Sequence, residues 1–181
     1  MDQLFLGAFA AGRSPLIFAD LISTGLEADR KDRDEERLRK AAEQILEHGE
    51  TELRAEISEK RRMVEILQQA GPSPPLQQWL DDLIAVALRL EQEKAADYDR
   101  IAGILEQAAG LMERRRATLA GQMSEWLDQF RAIASTYLTA LRDLLWDLMA
   151  LRSDYDRPSD RPVFSDAAKL RAHLTELMGS E

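Results

Sequence analysis

The chain has 181 residues, 45% of them hydrophobic and 31% charged, with a formal net charge of −9 and no cysteine. That length and composition suit one ordinary folded domain rather than a disordered chain. The lack of cysteine excludes disulfides, thiol nucleophiles and cysteine-ligated metal centres, and the acidic balance argues against a nucleic-acid partner, which needs clustered Lys and Arg to neutralise phosphates.

Residues 1–25, MDQLFLGAFAAGRSPLIFADLISTG, form an apolar opening. A secretory signal carries basic residues ahead of its apolar core, whereas Met1-Asp2-Gln3 offers an acid and no base. A membrane span needs about 20 apolar residues, and Arg13 and Asp20 interrupt any such window. Ser14-Pro15 instead reads as the N-cap and first position of a helix, with Gly12 and Gly25 as stops on either side. The expectation is two short docking helices. Leu4, Phe5, Phe9, Leu16, Ile17 and Phe18 are their candidate partner-binding side chains.

Residues 26–71 are highly charged with a sparse apolar stripe at helical spacing: Leu38, Ala42, Leu46, Leu53, Ile57, Val64 and Leu67, interrupted by Lys60. Such a stripe predicts one long helix that packs through a narrow seam. Glu36/Lys40 and Glu50/Arg54 are acid–base pairs four apart that support its exposed face. Gly71-Pro72-Ser73-Pro74-Pro75 must end it, because no helix interior accommodates that run.

From Leu76 to Leu151 an apolar seam recurs about every 3.6 residues, the period of a straight helix. It passes through Leu80, Leu90, Tyr98, Leu105, Met123, Trp126, Phe130, Tyr137 and Leu144, with Lys94 and Arg115 inside it. A turn at Gly121 would give two antiparallel helices and a compact bundle, but no Pro, Asn or Asp marks one there, so the pattern favours a single helix over 76–152, with Gly121 as the place for a kink. After residue 123, Leu127, Ala134, Leu138, Leu145 and Met149 widen the seam into a face broad enough for two or more neighbours. A Pro- and Asp-rich loop follows over 153–164, then a last helix over 165–178 capped by Ser165.

Catalytic patterns are sparse. The residues three before His48 and His173 are Ile45 and Leu170, so the Glu-x-x-His pair of di-metal bundles is missing. No H-E-x-x-H, G-x-S-x-G, P-loop or G-x-G-x-x-G occurs. Both histidines read as solvated. Glu43, Glu47 and Glu50, and Asp81 and Asp82 beside Trp79, could hold a hard cation, but they alternate with bases and read as a solvated face. No metal or cofactor is expected. Lys60-Arg61-Arg62 and Arg114-Arg115-Arg116 are basic triplets read as salt-bridged or solvated.

Trp79 and Trp146 join the N-terminal residues as candidate partner-binding side chains. Trp146 lies off the seam among Arg142, Asp143 and Met149, so it is either covered by another segment, such as the C-terminal helix, or an interface anchor. The sequence therefore predicts an all-α fold: an elongated antiparallel helical hairpin or coiled-coil-like bundle with short terminal helices. Its expected role is non-enzymatic, as a cytoplasmic adaptor, chaperone-like or structural subunit with a protein partner, in a homo-oligomer or hetero-complex. The alternatives are a membrane-active protein using its N-terminal helices and a carboxylate-based metal-binding or enzymatic bundle.

Overall fold

The computed structural model describes residues 35–113 and 117–179, with the side chains of 35–38, 111–113, 117–119 and 156 left aside. The described residues are all-α, with no strand among them. Helix α1 is Glu35–Gln69, α2 is Pro74–Glu113 and α3 is Ala117–Ser153. A 3-10 turn, Asp154–Asp156, and a short helix α4, Ala167–Gly179, follow. The N-terminal docking residues and the Arg114–Arg116 triplet lie outside the described residues. Of the described residues, 56–92 and 139–179 form one compact unit, here the first, and 35–55 and 93–138 form the second.

The single helix expected over 76–152 is instead two helices that run antiparallel. In the second unit Glu106 of α2 pairs with Arg131 of α3. There the Tyr98 ring also meets Phe130 and Tyr137 edge-on, at 5.8 and 6.1 Å. In the first unit Asp81 pairs with Arg152 and Glu91 with Arg142. Partners this far apart in sequence touch only if α3 runs back along α2. Gly121 lies within α3 and neither turns nor divides it. The in-phase seam was misleading because two antiparallel helices facing one core both carry the 3.6 period, and their phases can agree across a reversal.

The seams themselves form the cores. Leu46, Leu53, Tyr98, Ile101, Leu105, Met123, Trp126, Phe130 and Tyr137 are buried in the second unit. Leu67, Leu76, Leu80, Leu83, Leu141, Leu144 and Leu148 are buried in the first. Lys60 is 2% exposed, with its Nζ 3.3 Å from the equally buried Glu56 carboxylate. The seam lysine is thus taken into the core with an acid one turn earlier on the same helix. Near its end α1 buries two further side chains, Met63 and Ile66, which the sparse-stripe reading missed, and Ala70 just after it is also buried.

Helix α2 starts where the chain chemistry says it should. Gln77 N–H donates to the Ser73 carbonyl at 3.1 Å, and Pro74, at the first helical position, gives up an amide that has no helical acceptor there. The segment after α3 then grips this turn. Gly71 N–H donates to the Pro162 carbonyl at 2.7 Å, and Phe164 N–H donates to the fully buried Ser73 Oγ at 2.7 Å. The Arg161 guanidinium donates to the Gln68 carbonyl at the end of α1. Asp166, not Ser165, caps α4: its Oδ1 accepts the Ala168 N–H at 2.8 Å and its carbonyl accepts the Leu170 N–H. Leu170 and Leu174 are buried, and Arg62 donates to the Met178 carbonyl, which sets α4 beside α1.

Two glycine substitutions should act in opposite directions. A Cβ at Gly71 would lie 2.6 Å from the Arg161 carbonyl oxygen and 3.0 Å from that of Pro162. Both are backbone atoms, so the clasp must shift. Gly71→Ala is expected to cost about 1–3 kcal/mol in urea unfolding, the range for overpacking. A Cβ at Gly103, within α2, meets nothing within 4 Å. Gly103→Ala is expected to add about 1 kcal/mol in the same assay, the intrinsic helix preference of Ala over Gly.

Candidate interaction surface

The outer ridge of α3 in the first unit carries an exposed apolar surface. Trp146 is 68% exposed, the most exposed of the large apolar side chains described. The reason lies in the helical turn. Leu141, Leu144, Leu148 and Leu151 take the buried face of α3, and Trp146 falls nearly opposite their mean direction. The expectation that the C-terminal helix covers Trp146 fails, because α4 is occupied beside α1. Met149, three residues on, is 42% exposed. The broad apolar face read over 123–151 is therefore buried at Leu127 and Ala134, half-buried at Leu138 and Leu145, and open at Met149.

Two ion pairs fix how α2 and α3 meet along this flank. Arg152 Nε donates to Asp81 Oδ1 at 2.8 Å, and Arg142 Nε donates to Glu91 Oε1 at 2.7 Å. Steps of three and four link 81, 84, 88 and 91 on α2, and 142, 145, 149 and 152 on α3, so each set lies on one face. Between the bridges lie half-buried Ile84 and Leu145 and exposed Leu88 and Met149. Trp146 stands at the crest beside them. Surface ion pairs of this kind contribute about 0–1 kcal/mol each. Their effect here is to neutralise both arginines on this flank. On the opposite flank, Asp143 and Asp147 are exposed and have no ion-pair partner among the described residues.

The other candidates are distributed differently. Trp79 is 5% exposed, so it is a core residue and presents no docking surface. It sits on the buried face of the first turns of α2 between Leu76 and Leu80, and burial follows from that register. Leu4, Phe5, Phe9, Leu16, Ile17 and Phe18 lie outside the described residues. Leu88 went unnoticed in the sequence, although its place one residue off the seam after Ala87 was the signal.

The remaining polar features are dispersed over the described residues. Inward-turned Lys60 breaks up its basic triplet, and Arg61 and Arg62 line an open groove of about 440 Å³ with Ser58, Glu65, Gln69 and Leu177. His48 is exposed beside Glu52, Nε2 to Oε1 3.3 Å. His173, read as solvated, is instead half-buried against the Phe164 ring, centroids 5.0 Å apart. Among the described residues no group of three or more His, Asp or Glu side chains could hold a metal ion. Among them, too, no helix is long and apolar enough to cross a membrane. Comparison of the chain with protein-family models, with curated proteins and with solved structures finds no match.

Proposed function

We propose that this protein is a non-enzymatic interaction subunit, an adaptor, chaperone-like or structural component, that binds a protein partner through the α3 crest around Trp146. The exposure of Trp146 carries this reading. A tryptophan buries more area than almost any other side chain and is enriched among the few residues that dominate interface energies. Leaving it in water beside Met149 and Leu88 forgoes about 25 cal/mol for each Å² of apolar surface that a partner could cover.

Trp146→Ala tests the proposal. Because the side chain is exposed, the change in stability should stay within about 0.5 kcal/mol. Affinity purification and light scattering should nonetheless show loss of a partner or of self-association. Ile104→Ala, which truncates an exposed apolar side chain in the second unit, should lose neither. If the Trp146→Ala protein keeps every partner and its oligomeric state, the crest is not the binding surface.

A further inference from the structure

We infer that the partner segment seated on Trp146 is basic and amphipathic, with apolar side chains against Trp146 and Met149 and Lys or Arg against Asp143 and Asp147. This rests on the interaction role proposed above and names the chemistry of its partner. Charge decides it. Both arginines of this surface, Arg142 and Arg152, are already neutralised by Glu91 and Asp81. Asp143 and Asp147, three before and one after Trp146, keep uncompensated carboxylates among the described residues. An incoming segment thus meets an apolar crest with a net negative rim, on a chain whose formal net charge is −9. A Lys or Arg there gains two attractions, to the carboxylates and to the face of the indole.

The same charges weigh against other occupants. A second copy docked through a twofold axis at Trp146 uses the same patch on both sides. It would bring four uncompensated carboxylates together. An anionic lipid surface would be repelled for the same reason.

The test uses the full chain and two labelled synthetic peptides, acetylated and amidated, each about 18 residues long so that a helix can form. Both carry Leu at the i, i+3, i+4 and i+7 positions. One has Lys at its polar positions and the other has Glu. By fluorescence anisotropy the Lys peptide is expected to bind at least about tenfold more tightly than the Glu peptide. Trp146→Ala and the double change Asp143→Lys/Asp147→Lys are each expected to weaken it about tenfold. Asp99→Lys/Asp128→Lys, at exposed positions of the second unit, should leave it unchanged. Four outcomes overturn the inference. If both peptides bind equally and Trp146→Ala abolishes both, the crest is an interface but its partner is not basic. If the Asp99/Asp128 change weakens binding as much as the Asp143/Asp147 change, bulk charge alone attracts the peptide. If wild-type protein self-associates and Trp146→Ala abolishes that, a second copy is the occupant. If neither peptide binds, the basic partner is wrong, while the interface role is still judged by the partner-loss experiment above.

Discussion

Glu56→Ala is expected to destabilise the protein by about 3–5 kcal/mol, measured by urea unfolding at neutral pH. The Glu56 carboxylate and the Lys60 ammonium are 3.3 Å apart, and their side chains are 4% and 2% exposed. Taking an ammonium out of water costs several kcal/mol, which a nearby carboxylate offsets only while it is present. Truncating Glu56 removes that carboxylate and leaves the charge of Lys60 in the core. The double change Glu56→Leu/Lys60→Met is expected to be neutral or stabilising by about 1–4 kcal/mol, because it removes both desolvation costs and keeps the volume. If Glu56→Ala were as mild as a surface substitution, within about 0.5 kcal/mol, the pair would not hold Lys60 in place. Hydrogen exchange should quicken first in 56–70 and the helices packed on it.

Phe130→Ala is expected to cost about 3–5 kcal/mol, the range for deleting a buried aromatic ring. Phe130 is fully buried on α3, and its ring meets Tyr98 of α2 at 83° between planes. Tyr98 meets Tyr137, two turns further along α3, at 80°. The substitution therefore removes one end of an edge-to-face stack centred on Tyr98 as well as leaving a cavity, and an aromatic pair adds about 0.5–1.5 kcal/mol beyond area burial. A folded domain is stable by only about 5–15 kcal/mol, so this change removes a large fraction of the total. Because Phe130 belongs to the second unit, hydrogen exchange should quicken in 93–110 and 120–138 before it does in 74–90. Equal loss of protection everywhere would mean that the two units unfold as one.

Much of the architecture was legible because helix burial is written at a local period. Leu46, Leu53 and Leu67 of α1, and Leu80, Leu83 and Leu90 of α2, fall on the buried faces that their spacing predicts. The stop at Gly71 through Pro75 is equally local, since proline lacks the amide a helix interior needs. Glu50 and Arg54 pair as their spacing of four suggests. For the candidate surface, the register of Trp146 against the seam showed that it points away from the core.

What the sequence determined by itself is the class of fold and the direction in which each side chain leaves its helix, because both depend on neighbours within a turn or two. Tertiary structure alone decided the rest. That α3 runs antiparallel to α2 is invisible to periodicity, since phase carries no information about direction. Gly71 looked like a simple helix stop, yet its hydrogen atom makes room for the backbone of Arg161 and Pro162, about ninety residues later in the chain. Trp79 and Trp146 looked alike as candidate anchors. Register separates them in direction, Trp79 toward the core and Trp146 away from it, but only the tertiary structure decided that no described segment came to rest on Trp146, which is 68% exposed.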